Sequence, residues 1–194
     1  MIGVIDLGIG NLENVRRAAG AELISDAYLI ERAEKLIFPG VGNFGEVAEK
    51  IETWRGPILD FIADGKPFLG ICLGLHYLFE GSEEQPGVPG LGVFRGRVVR
   101  FRGVRAPHIG WNRVWQLHEA PIFRGIRDGA YFYFVHSYYP EPEEDVAMAY
   151  TEHGDKDTLR FISGVWRDSV YGVQFHPEKS GQNGMQLLRN FRRL

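Results

Sequence analysis

The sequence predicts an α/β fold: a mostly parallel central sheet flanked by helices, flavodoxin-like in layout, with antiparallel strands added in the C-terminal half. Three observations predict it. Over the first eighty residues, apolar β-rich runs alternate with stretches of helical spacing, the pattern of parallel strands covered on both faces. Beyond Gly87-Val88-Pro89-Gly90 the texture changes to short alternating runs, which read as antiparallel strands. The 194 residues are 44% hydrophobic and 24% charged, enough for one domain over 1–194 to bury a core without disulfide or metal.

In chain order, residues 1–7 read as a strand. Gly8-Ile9-Gly10-Asn11 then turns into a helical pattern over 12–21, where Leu12, Val15, Ala18 and Ala19 share a face. A second strand over 35–38 stops at Pro39-Gly40-Val41-Gly42. Two helical patterns follow, 44–51 and 58–63, the second closed by Asp64-Gly65-Lys66-Pro67. The apolar run 68–71 is a buried strand that delivers Cys72, and 73–80 leaves it as a helix. Strands are predicted over 93–102, 113–116, 130–137, 146–151, 161–165 and 170–175, and a closing helix over 184–194. No repeat or linker divides the chain.

Composition excludes several classes. A formal net charge of −3 carries no polyelectrolyte signature, so nucleic acid is not an expected partner. Residues 1–6 lead into a strand without a basic lead or a long apolar stretch; the expectation is no signal peptide, no membrane span and a cytoplasmic location. With one cysteine there is no internal disulfide, and His76, His108, His118, His136 and His153 show no ligand spacing, so neither metal nor cofactor is expected.

Two segments carry chemistry. Gly70-Ile71-Cys72-Leu73-Gly74 sets the cysteine between glycines at a strand-to-helix turn, the construction of a nucleophile elbow. A cysteine after a strand is otherwise a small buried hydrophobe, but the helix that follows favours a thiolate and aims backbone N–H groups at it. Gln174-Phe175-His176-Pro177-Glu178 ends another strand with an imidazole and a carboxylate two positions apart. Strand-like spacing would place both side chains on one side, so that Glu178 orients His176. Together they can supply nucleophile, base and orienting group. Gly40-Val41-Gly42-Asn43-Phe44-Gly45 fits the dinucleotide pattern G-x-G-x-x-G, but it follows the second strand and its acidic candidate, Asp60, lies in a helical pattern. A loop of N–H groups facing the cysteine fits better. The run 95–102 alternates arginine with apolar residues, as a half-exposed strand does.

These segments, with Pro107-His108-Ile109-Gly110-Trp111-Asn112 and Tyr133-Phe134-Val135-His136-Ser137-Tyr138, resemble the triad glutamine amidotransferases, and among them the glutaminase subunits of imidazole glycerol phosphate synthase. The blocks span nearly the whole chain in the family's order. The resemblance implies the class I amidotransferase fold, with Cys72 as nucleophile, His176 as base and then acid, and Glu178 as its partner. It implies oxyanion donors at Leu73 and in the Val41–Gly42 loop, and glutamine held by Gly42, His76, Glu84, Ser137 and Tyr138. It implies a heterodimer with a (β/α)8-barrel cyclase subunit that receives the ammonia, contacted near Asn11, Trp111, Tyr133 and Lys179. His76 stands where the family usually has glutamine, and the 15–36 segment is short for the family, a trimmed first helix and loop. Because Gly40 and Gly42 flank Val41, the peptide there can rotate cheaply, and a chain without its partner is expected to be a poor glutaminase. On the residues alone two other classes compete: a stand-alone cysteine hydrolase or thiol-dependent protein, and a nucleotide-binding module.

Overall fold

The computed structural model describes all residues except Gly10, Asn11, Val41 and Lys156. Strands β1 (Ile2–Ile5), β2 (Glu22–Ile24), β3 (Lys35–Gly40), β4 (Phe68–Cys72) and β12 (Val170–Val173) pair in parallel in the order β2-β1-β3-β4-β12. The same sheet continues antiparallel through β11 (Leu159–Arg167), β10 (Ala147–His153), β7 (His108–Gln116) and β8 (Ala130–His136). A smaller sheet joins β5 (Gly81–Ser82), β6 (Gly96–Arg100) and β9 (Tyr138–Pro142) in the order β5-β6-β9.

Apart from Glu22 and Lys35 at their starts, the parallel strands are apolar because both faces are covered, and alternate residues enter different cores. On one face Val4, Ile37, Leu69, Ile71 and Val173 pack with Val15 and Ala19 of α1 (Leu12–Ala19) and Leu187, Leu188 and Phe191 of α4 (Gly181–Arg192). On the other, Ile5, Leu36, Phe38 and Phe68 pack with α2 (Phe44–Ala63) and α3 (Leu73–Tyr77).

Several sequence expectations are corrected. The two patterns 44–51 and 58–63 form one helix. Its buried stripe Phe44, Val47, Ile51, Trp54, Ile58 and Phe61 runs at alternating steps of three and four straight past Pro57. An interior proline costs about 3 kcal/mol, which the burial of Ile58 and Phe61 beyond it, at ~1.5–3 kcal/mol each, offsets. The start of α2 is fixed by Asn43, whose Oδ1 accepts from Gly45 N at 2.7 Å while Glu46 Oε2 accepts from Asn43 N at 3.4 Å. The 15–36 stretch is not only helix and loop: it contains the edge strand β2 and a 3-10 turn, Ala27–Arg32. The helix after Cys72 stops at Tyr77, and β7 begins five residues before the predicted start.

Candidate active site

Cys72 ends β4 and is itself the turn into α3, with φ 52° and ψ −105°. Such a conformation costs a non-glycine residue about 1–3 kcal/mol and persists only where the surroundings over-determine it. Here β4 is pinned between β3 and β12, with Gly40 in register with Cys72. The flanking glycines let the elbow press against the sheet. A Cβ on Gly74 would run into the Phe38 carbonyl oxygen, and one on Gly70 would lie 2.6 Å from the Gly74 oxygen.

His176 stands three residues beyond β12 and is 1% exposed. Its N–H donates to Tyr133 O at 2.9 Å, and its carbonyl accepts from Ser180 Oγ at 2.6 Å. Nδ1 donates to Glu178 Oε1 at 2.8 Å. The carboxylate does not arrive by strand spacing, as expected from sequence. Pro177–Lys179 is a 3-10 turn that folds Glu178 back beneath the ring. Nε2 has no completed hydrogen bond among the described residues, and the group acting on it is the Cys72 sulfur. Burial opposes a charged imidazole. The neighbouring sulfur, then Glu178, outweigh it and raise the pKa from 6.5 to about 10, which favours the imidazolium.

A cleft of about 300 Å³ opens at the carboxyl ends of β3 and β4, the end where open α/β sheets hold ligands. Cys72, Leu73, Gly42, His76, Glu84, Ser137 and Tyr138 all line it. Gly42 has φ 128°, which favours glycine. Val41, the other expected oxyanion donor, lies outside the described residues. Half-buried Glu84 accepts from Phe44 N at 3.0 Å, and burial raises its carboxyl above the usual range. Among the described residues no lysine or arginine pairs with it.

Sequence reasoning missed the rest of the wall, Pro107, Val135 and His136. His136 and His108, which it read only as lacking metal spacing, form a directed chain. Asn112 Nδ2 donates to His108 Nε2 at 3.1 Å, His108 Nδ1 to His136 Nε2 at 2.9 Å, and His136 Nδ1 to Tyr138 O at 2.8 Å. That order needs both rings neutral. Burial, with His153 nearby, lowers His108 to about 4; burial and His108 push His136 well below 6.5. Also missed was Gln174, quoted only as part of a motif, whose Nε2 lies 3.7 Å from Cys72 Sγ. A buried polar side chain next to an elbow cysteine has no periodic signal; only its place before Phe175-His176 hinted at it.

Three of the four expected partner-facing residues form one patch. Trp111 and Tyr133 are cross-strand partners with ring centroids 6.1 Å apart, and Lys179 Nζ lies 6.0 Å from the Tyr133 ring. Trp111 is 55% exposed. Asn11 lies outside the described residues.

The family model for class I glutamine amidotransferases matches residues 6–194. The chain is 68% identical to imidazole glycerol phosphate synthase subunit HisH of Thermococcus kodakarensis, covering 100% of both chains. It is 53% identical to subunit HisH of Pyrococcus furiosus, covering 100% of this chain and 98% of that one. Among solved structures, PurLQS from Thermotoga maritima superposes with a TM-score of 0.77 at 16% identity, covering 98% and 96%. A glutamine amidotransferase superposes at 0.76 and 20% identity, with the same coverage. At such identities the superpositions speak for the fold alone.

Proposed function

The chain belongs to the class I glutamine amidotransferases, among the HisH subunits of imidazole glycerol phosphate synthase, and from that membership we propose that it hydrolyses L-glutamine to glutamate and ammonia. The ammonia passes to a (β/α)8-barrel cyclase subunit, which makes imidazole glycerol phosphate and aminoimidazole carboxamide ribotide in histidine biosynthesis. The observation that carries the chemistry is the buried His176–Glu178 pair at 2.8 Å, charged opposite the sulfur of the only cysteine.

Cys72 sulfur attacks the side-chain amide carbon of glutamine, and His176 gives its proton to the departing nitrogen. Ammonia leaves and a γ-glutamyl thioester remains. His176, now neutral, takes a proton from water as the water attacks the thioester; glutamate leaves and the thiolate is restored. Glu178 holds Nδ1–H throughout, so Nε2 always faces the sulfur. The Leu73 N–H at the start of α3, with the Val41–Gly42 loop, meets the charge that develops on the carbonyl oxygen. Glu84, a carboxylate with no cation paired to it among the described residues, receives the substrate ammonium, and Gly42, Ser137 and Tyr138 bound its other end. Among the described residues no helix is long and apolar enough to cross a membrane.

The test is glutamate release by the full chain with its cyclase subunit, beside Cys72→Ala. The variant should lose glutamine-driven synthesis and keep synthesis driven by added ammonia. Equal loss of both reactions would show that Cys72 supports the assembly and is not the nucleophile.

A further inference from the structure

Gln174 follows β12 and is wholly buried, at 0% exposure. An amide so placed must find its partners in the protein. Its backbone N–H donates to Ser163 O at 3.0 Å, and its side chain reaches the other way, into the site. Nε2 lies 3.7 Å from Cys72 Sγ, and Oε1 lies 2.8 Å from Nε2 of His76, which is 4% exposed on α3.

Chemistry sets the direction of both contacts. The amide nitrogen only donates, so the side chain turns its N–H toward the sulfur, which accepts. The amide oxygen only accepts, so His76 supplies Nε2–H. Burial keeps His76 neutral, from 6.5 down to about 4, and it therefore gives one N–H without a charge that competes with His176 for the sulfur.

We propose that Gln174 is a further catalytic residue, donating its side-chain N–H to the Cys72 sulfur, and that His76 is the positioning residue that fixes the amide in that orientation. Resting on Cys72 as the nucleophile, the arrangement places the His176 imidazole on one side of the sulfur and an amide N–H on another, with the Val135 carbonyl oxygen 3.9 Å away on the wall of the cleft into which the sulfur opens. His76 thereby acts through Gln174 while its ring bounds the cleft. The other titratable groups around the sulfur are Glu178 behind His176, and Glu84 and His136 on the cleft wall.

Because Cys72 is the single cysteine, the rate of iodoacetamide alkylation of the full chain against pH reads its ionisation alone, with neither glutamine nor partner present. A hydrogen bond to a charged group is worth enough that Gln174→Leu should raise the midpoint by about one pH unit, or ~tenfold in thiolate below it. His76→Leu should shift it the same way, and the double variant no further than Gln174→Leu. His76→Gln, which offers an amide N–H in place of the imidazole, should recover most of the shift. Wild-type midpoints in both leucine variants overturn the proposal. If Gln174→Leu does not fold by circular dichroism, equal midpoints in His76→Leu and His76→Gln overturn it alone. Glutaminase activity surviving in Cys72→Ala is a different result, and sinks the nucleophile itself.

Discussion

His176 and Glu178 sit in one buried contact but do different work, and substitution should separate them. Glutamine at 178 can still accept from Nδ1, so Glu178→Gln keeps the ring's orientation and loses the charge that favours the imidazolium. His176→Ala removes the proton carrier. On the scale of a serine triad, losing the orienting carboxylate costs ~10⁴ in kcat and losing the imidazole ~10⁶, and the same order is expected here. Steady-state glutamate release checks it; the reverse order would remove Glu178 from the catalytic set. At this scale the sequence was most legible where chemistry and turn geometry demand particular residues side by side. Gly70-Ile71-Cys72-Leu73-Gly74 announces an elbow because neither glycine tolerates a Cβ, and His176 and Glu178 share one short segment. Gln174 reaches Cys72 across 102 residues and His108 reaches His136 across 28, and no local pattern encodes those contacts.

Among the elements, the apolar core strands were read correctly, whereas those set by their neighbours were not, and the long helix α2 was split in two. The core strands β1, β3 after Lys35, and β4 are apolar at each step because two layers of helix cover them. Strand β2 has three residues, of which only Ile24 is buried, and β9 carries two prolines; each is a strand because of what it pairs with. In α2, Gly56-Pro57 looks like a stop, yet the buried stripe continues through it. The elbow gives the sharpest test of an element held by its packing. Gly74→Ala puts a methyl against the Phe38 carbonyl, backbone that cannot swing aside. Overpacking of this kind costs about 1–3 kcal/mol. The expectation is a loss of that size in denaturant unfolding, together with slower alkylation of Cys72 as the strained turn relaxes. A variant as stable and as reactive as wild type would show that α3 shifts freely against β3.

For the molecule as a whole, the cluster of neutral histidines behind the cleft makes stability depend on acid. His76, His108 and His136 all have folded pKa values held below 6.5, chiefly by burial. The unfolded chain takes up these protons near 6.5, the folded chain only near 4 at His76 and His108 and well below 6.5 at His136. Between those values the unfolded state therefore holds more protons, and stability rises with pH. His176 is shifted the other way, so its contribution is complete below 6.5 and adds nothing to the acid loss. For His76 alone, fully buried, the gap from 6.5 to about 4 corresponds to roughly 3 kcal/mol lost across that window. His108 and His136 add in the same direction. Protonation would also break the chain from Asn112 to Tyr138, since His108 Nδ1–H and a protonated His136 Nε2 would then point two hydrogens at each other. Chemical denaturation at pH 7 and pH 4.5 should show the lower midpoint in acid, and His76→Gln, whose amide does not titrate, should show a shallower fall. A midpoint flat from pH 7 to 4.5 in the wild-type chain would mean that these rings take protons while folded, and that the cleft wall does not depend on their neutrality.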